Sequence, residues 1–344
     1  MPPHPKPLPD ELGPQFSVRD ARTAGVSLRR LRHKDLEQPF IGARMRRTDG
    51  VLIADSGRSS HAIAADEARS DIRRRARAYA TVMPSHAFFF GVTAAVVWDI
   101  PLPLRVLRTA TSVGGRMPQH ARRLDVAVHP PHRAPRARGL TSRQLSPRLT
   151  TTREHDGLRL ASPATVWAQL ATELSVDELI AAGDAIVQPP RRPNGARDAA
   201  SALADVAQLE AAMTAGRRTG AARLREAVPQ VRVGSDSSAE TGLRLAIERA
   251  GLPDPELDFT VLDARGRVIG FTELAYPRWR LLLEYEGDHH RTDRAQWHRD
   301  VEKHAACTDL GWTVLRFTSA HVYPSPRPAI ERIRTALRRA GWSG

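Results

Sequence analysis

The chain has 344 residues, 41% of them hydrophobic, a net charge of +14 and one cysteine. The apolar fraction excludes wholesale disorder, and the length allows two or three domains. One cysteine excludes an intrachain disulfide and suits a reducing cytoplasm, while the charge favours phosphate polyanions or anionic surfaces as partners.

The Pro-rich start, Met1 to Gly13, has no apolar signal core. The longest apolar run, Ala87 to Trp98, falls short of the roughly 20 residues that span a bilayer. A cytoplasmic protein without a membrane partner is expected.

Residues 1–60 have the outline of a winged helix-turn-helix. Phe16 to His33 predicts two short helices around Gly25. Ser17 can cap the first, with Asp20 at the capping-box position. Ser27 can cap the second, which carries Arg29, Arg30, Arg32, His33 and Lys34 beside Leu28 and Leu31. In such a motif the second helix enters the major groove, so Arg29, Arg30, Arg32 and Lys34 are expected DNA contacts. An ordinary helical hairpin with a basic outer face fits the same residues. A strand pair at Phe40 to Met45 and Val51 to Ala54 would form the wing.

Residues 61–187 predict a mixed α/β middle region. Glu67 to Tyr79 is a basic helix. Phe88 to Trp98 is a buried helix or strand, which period alone does not decide. Leu124 to His129 alternates like a strand, Pro130 to Arg138 is a loop, and Ser162 to Leu174 and Val176 to Val187 are helical. His129, His132 and His155 have no metal-ligand spacing and are expected on the surface. Residues 188–234 form a linker around Pro189, Pro190, Pro193 and Gly195, followed by a helical connector.

From 235 to 344 the order is helix, strand, strand, strand, helix, strand, helix. Ser238 to Ala250 is a helix stopped by Gly251 and Pro253. Phe259 to Leu262, Val268 to Leu274 and Arg280 to Glu286 are strands. Arg294 to Leu310 is a helix, Trp312 to Thr318 a strand, and Ala329 to Ala340 an amphipathic helix. A strand, a helix and a strand imply a parallel crossover, and so a small mixed sheet flanked by helices. The whole is an α+β or α/β multidomain chain.

The chemistry concentrates where the leucine run Leu281 to Leu283 ends in Glu284, Glu286 and His290. Carboxylates at the edge of a buried sheet are costly unless neutralised, and a divalent metal is the usual answer. A two-residue turn at Pro277-Arg278 would put Glu273 opposite Leu282 and Glu284 opposite Phe271. Glu273 and Glu284 would then be diagonal neighbours on one face, within roughly 8 Å at the Cβ, and one metal could bridge them. Glu286 points the same way, and Glu240 could swing in as a ligand or water-orienting base. Oxygen-only ligation favours Mg²⁺ or Mn²⁺ over zinc; a zinc site from His289, His290 and His298 has no recognised spacing. His290 would act as general acid or base or hold the scissile phosphate, and Lys303 or Arg316 would neutralise the transition state, with Arg316 also an expected DNA contact. His289, His298 and His304 are expected on the surface. Plain strand-end ion pairs between Glu273 or Glu284 and Arg278, Arg280 or Arg291 compete with this picture.

Four segments, Ser238-Ala239-Glu240-Thr241-Gly242-Leu243-Arg244, Phe271-Thr272-Glu273-Leu274-Ala275-Tyr276-Pro277, Glu284-Tyr285-Glu286-Gly287-Asp288-His289-His290 and Gly311-Trp312-Thr313-Val314-Leu315-Arg316-Phe317, carry a resemblance. Residues 235–340 resemble an uncharacterised actinobacterial domain related to very-short-patch-repair (Vsr) endonucleases, within the PD-(D/E)xK nuclease superfamily. The resemblance implies a restriction-endonuclease-like fold, a Mg²⁺ or Mn²⁺ cofactor held by Glu273 and Glu284, and catalytic roles for Glu240, Glu273, Glu284, Glu286 and His290. Asp300 matches an acid of the following helix. Glu273 stands where the family usually has Asp, and Glu286 stands at the position of the superfamily's lysine. The Phe16 to His33 hairpin and the Leu158 to Val187 stretch are more loosely similar to AbiEi-type antitoxin regulators, without that family's Arg-Gly-Val-Tyr wing ending. Together these imply a DNA-binding protein with a Vsr-like endonuclease domain. A catalytically inactive transcriptional regulator and an AbiEi-type antitoxin are the alternatives, with a cognate toxin or self-association as further partners.

Overall fold

The computed structural model describes residues 6–47, 59–108, 122–192, 195–286, 294–322 and 324–344, the side chains of 294–300 excepted. These residues are mixed α/β, with three sheets, and divide into two compact units. The first reaches to Glu173 and includes Thr214–Arg218; the second holds Leu174–Met213 and Thr219–Gly344. No helix among them is long and apolar enough to cross a membrane.

The first unit opens with β1 (Gln15–Ser17), α1 (Val18–Thr23), β2 (Leu36–Glu37) and β3 (Ala43–Arg46), in an antiparallel sheet of order β1-β3-β2. Ser17 Oγ caps α1, accepting from Asp20 N at 2.9 Å and donating to the Asp20 carboxylate at 2.7 Å. The expected second helix is not formed. Ser27 to His33 holds a single 3-10 turn, Arg30–Arg32. Ser27 Oγ does accept from Arg30 N at 3.2 Å, but Leu31 alone in this segment is buried, and Leu28 is 49% exposed. One buried side chain gives too little packing to offset the cost of nucleating a helix. The segment Phe40 to Met45 finds its partners in β1 and β2; Val51 to Ala54 lies outside the described residues.

The unit continues with α2 (Ser60–Ala80), β4 (Ala87–Phe89), α3 (Gly91–Val97), α4 (Leu104–Leu107), β5 (Leu124–Val128), β6 (Leu140–Gln144), β7 (Thr152–His155), β8 (Leu158–Ala161) and α5 (Pro163–Leu170). Its five-stranded sheet has the order β6-β5-β4-β8-β7. The run from Phe88 to Trp98 is both a strand and a helix: β4 turns into α3 at Gly91, whose φ of 53° a side chain rarely adopts. β5 is buried at every position rather than on alternate ones. An interior strand covered on both faces has no need of polar alternation. Its Asp125 accepts from Val92 N at 3.1 Å at the start of α3, and burial pushes its carboxyl up to about 6.

The second unit contains α6 (Val176–Val187), α7 (Val206–Thr214), α8 (Ala221–Ala227), α9 (Ser238–Arg249), β9 (Glu256–Leu262), β10 (Val268–Tyr276), β11 (Leu281–Tyr285), α10 (Arg294–Asp309), β12 (Thr313–Phe317), α11 (Ser319–Val322) and α12 (Arg327–Arg339). Its sheet runs β12-β11-β10-β9. β9, β10 and β11 are antiparallel, and β11 pairs in parallel with β12 across α10, as the strand-helix-strand order requires. One face packs Leu274, Leu281, Leu283 and Phe317 against Leu243 and Ile247 of α9 and Ile333 and Leu337 of α12. The other face packs Val261, Ala275 and Leu282 against Cys307 of α10. Ser175 and Glu178 form a reciprocal capping box at the start of α6. On the same helix, buried Asp184 accepts from Arg232 N, Thr241 Oγ1 and Arg244 Nη2 at 2.8, 2.8 and 2.9 Å, joining α6 to α9.

The β10–β11 register differs from the two-residue turn read in the sequence. Leu274 pairs with Leu283, Ala275 with Leu282 and Tyr276 with Leu281. The connection is a 3-10 turn, Pro277–Trp279, closed by Arg280 in the left-handed region at φ 48°. It is longer than expected by two residues, so the parity of the strand faces survives while every pairing shifts.

Candidate functional site

Continuing that register by one pair sets Glu273 directly opposite Glu284, where the sequence placed them diagonally. Directly opposed residues have Cβ atoms about 5 Å apart. Both lie on the face that carries Ala275 and Leu282, hence toward α10. Glu240 comes from the first turn of α9, where Ser237 Oγ caps the helix through Glu240 N at 3.2 Å. Its Oε2 accepts from Asp236 N at 2.8 Å. Glu240 and Glu284 are both buried.

Glu273 is half-buried as a residue, but its Oε2 is sealed from solvent and accepts no hydrogen bond. Burial, then the charges of Glu240 and Glu284, push its carboxyl up to about 8, against the pull of its own backbone N–H and of Lys303. Burial raises Glu240 as well. Glu284 behaves oppositely. Burial opposes its ionisation too, but His304 and Lys303 hold it below the ordinary carboxylate range. Lys303 Nζ lies 2.6 Å from Oε1 and His304 Nε2 lies 2.5 Å from Oε2. The lysine chain passes over Gly270, where a Cβ would sit 2.5 Å from its Cδ, and Nζ also donates to the Phe271 carbonyl at 3.2 Å. Gly270 is therefore the notch that lets Lys303 reach the acids.

His304 was expected on the surface; instead it is a partner of Glu284. The signal was available. Lys303, His304 and Cys307 share one face of α10 at helical spacing, and Cys307, fully buried, marks the face turned to the sheet. His129 and His155 are likewise only partly exposed: His129 Nδ1 meets the Leu145 carbonyl at 2.9 Å, and His155 stacks on Trp98.

The other expected site residues divide. Glu286 pairs with Arg316 rather than joining the cluster. His290 and His289 lie outside the described residues, as do the side chains of Asp300 and His298. In the first unit Arg29, Arg32 and Lys34 are exposed. Arg30 is not available: its guanidinium clasps Asp35 through two hydrogen bonds of 2.9 and 2.7 Å and donates to the Lys6 carbonyl at 2.6 Å. It fastens the chain after the 3-10 turn. Arg278, Arg280 and Arg291 are not seen to neutralise the glutamates. Arg278 lies over Trp279 and Arg280 donates to the Leu310 carbonyl, while Arg291 lies outside the described residues.

Comparison with known proteins finds two relatives. An uncharacterized protein of Mycobacterium tuberculosis strain CDC 1551 / Oshkosh and one of strain ATCC 25618 / H37Rv are each 31% identical to this chain over 127 residues. The match covers 37% of this chain and 46% of each relative, so the chain spans less than half the length of the curated relatives it matches. No family model matches. No solved structure matches.

Among the described residues no three His, Cys, Asp or Glu side chains are arranged to hold a metal ion. What the cluster offers a cation is narrower: an unbonded, enclosed carboxylate oxygen on Glu273, facing Glu284 across one strand pair, with Glu240 close enough to raise the Glu273 pKa. Those are oxygen donors of the kind a hard divalent ion takes, and Mg²⁺ is commonly held by one or two carboxylates with water completing the shell.

Proposed function

We propose that the second unit is a divalent-metal-dependent phosphodiesterase acting on DNA, with Glu273 and Glu284 holding Mg²⁺ or Mn²⁺. The observation that carries this is the enclosed, unbonded Oε2 of Glu273, across the strand pair from Glu284 and within the electrostatic reach of Glu240. A buried acceptor without a donor is costly in a fold, and its retention within the electrostatic reach of two other acids fits a cation partner. When bound, such an ion would lower the pKa of a coordinated water and stabilise charge on a phosphate. The chain's own residues have distinct tasks. Lys303, held over Gly270, places a fixed positive charge at the acids, a role open to it because Glu286 occupies the position of the superfamily's lysine. His304 orients Glu284. Glu240, fixed by Asp236 N, is positioned to orient a water.

The experiment is a Mg²⁺/Mn²⁺ cleavage assay on duplex, nicked, mismatched and single-stranded DNA, comparing the wild type with Glu284→Gln and Lys303→Met. Metal-dependent cleavage lost in both variants supports the proposal. Intact DNA in every lane, or cleavage unchanged in both variants, rejects it.

A non-cutting role, in which the same fold only grips DNA in a regulator, is favoured by one observation. Both oxygens of Glu284 already face a basic group, so one of the three carboxylates is neutralised by the protein itself. Metal-independent binding to a defined promoter sequence would select that role.

A further inference from the structure

We propose that Arg316 and Arg332 form a backbone-phosphate contact point for DNA beside the carboxylate cluster, and that Glu286 occupies it as a displaceable counter-ion when no DNA is bound. This rests on the DNA partner proposed above, but not on cleavage.

Arg316 stands opposite Glu284 in the parallel register of β11 and β12, so it lies one strand away from the acids. Arg332, on α12, donates from Nη1 to the Arg316 carbonyl at 3.2 Å, and its guanidinium lies 5.1 Å over the Phe317 ring. The two residues are therefore fixed at the same end of the edge strand β12, Arg316 on the face of Glu284 and Arg332 over Phe317 on the α12 face, so that they flank that edge from its two sides. Glu286 is anchored there by its backbone, whose N–H donates to the Phe317 carbonyl at 2.7 Å. Its carboxylate pairs with Arg316, and the two side chains are 35% and 50% exposed. The Glu286 Oε1 of the pair is enclosed, but with both side chains partly exposed the pair is weak and screened by salt. A phosphodiester accepts the same guanidinium donors in charge-assisted, bidentate bonds and releases counterions as it binds.

The surroundings have the complementary sign. α12 carries one acid, Glu331, which pairs with Arg327, and its exposed Arg338 and Arg339 extend the positive surface toward its C-terminus. Glu286 thus leaves the set of acids facing the cluster and becomes the group that a phosphate replaces. Its pairing also explains why a glutamate at the end of β11 is tolerated outside the buried cluster.

The test is fluorescence anisotropy of the full chain with a labelled short DNA duplex in EDTA, over a range of salt, for the wild type, Glu286→Gln, Arg316→Gln and Arg332→Gln. Thermal melting of each variant checks that it is folded, and Arg316→Lys serves as a milder second variant. The proposal expects Glu286→Gln to tighten binding roughly threefold, since it removes only a weak competing pair. Arg316→Gln and Arg332→Gln should weaken binding and each reduce the salt slope by about one. Weaker or unchanged binding by folded Glu286→Gln overturns it, as does an unaltered slope in both arginine variants or a wild type that does not bind DNA. A tighter Glu286→Gln variant with no cleavage by the wild type in Mg²⁺ would leave this inference standing and reject hydrolysis. Cleavage with no gain from Glu286→Gln would do the reverse.

Discussion

The second unit buries acids in two places, and they are treated differently. Asp184 accepts three hydrogen bonds, from Arg232 N, Thr241 and Arg244, and so is fully engaged between α6 and α9. Glu273 keeps an enclosed oxygen with no hydrogen-bond partner and feels the charges of two further carboxylates, Glu240 and Glu284. α9 serves both regions: Thr241 and Arg244 face Asp184, and Glu240 faces the cluster. The difference separates a buried charge that holds the fold from one that the fold tolerates, and only the second calls for an external ligand.

Removing the acid should have opposite consequences in the two places. Asp184→Ala leaves Arg244, whose Nε and Nη1 have no partners of their own, as an uncompensated buried cation. A loss of about 3–5 kcal/mol is expected in urea unfolding. A loss well under 1 kcal/mol would mean that the Asp184 network is not structural, and the contrast would dissolve.

Glu273→Gln should instead stabilise the metal-free protein at alkaline pH. With its carboxyl pushed from 4.5 to about 8, the folded state holds a proton that the unfolded chain has already shed. Stability therefore falls as pH rises from about 4.5 and levels off above about 8. The variant should lack that part of the slope, gaining on the order of 5 kcal/mol at pH 9. Parallel pH–stability curves for the two proteins would show that Glu273 is not strained.

A smaller effect should reach both regions at once. Ser237→Ala removes the cap of α9 and should cost about 1 kcal/mol. It should also weaken divalent-ion binding, because Glu240 sits in the same helical turn. A stability loss with unchanged ion binding would separate α9 from the cluster. In the first unit, Arg30→Gln should lower stability by about 1 kcal/mol or more, since two charge-assisted bonds to Asp35 are lost. Arg29→Gln and Arg32→Gln, at exposed positions, should leave melting unchanged.

Much of the second unit was legible from pattern. The leucine run fixed β11, Gly311 ended α10, and the strand-helix-strand order fixed the parallel pair. The shared face of Glu273 and Glu284 was legible as parity. Their direct opposition was not, because Arg280 adopts a left-handed conformation that no glycine or asparagine announced. Lys303 was legible as a cation near the acids, but the notch at Gly270 that admits it exists only once β10 and α10 are packed. In the first unit, Ser27 and the basic run suggested a helix because capping and charge are local signals. What decided against it was the exposure of Leu28, a tertiary fact.

The most direct test of the central claim is calorimetric titration of Mn²⁺ into the full chain and into Glu273→Gln at neutral pH, in two buffers of different ionisation heat. Binding by the wild type with proton release, and none by the variant, is the predicted result: the ion takes the place of the proton on Glu273. No binding by the wild type, or equal binding by both proteins, would contradict it.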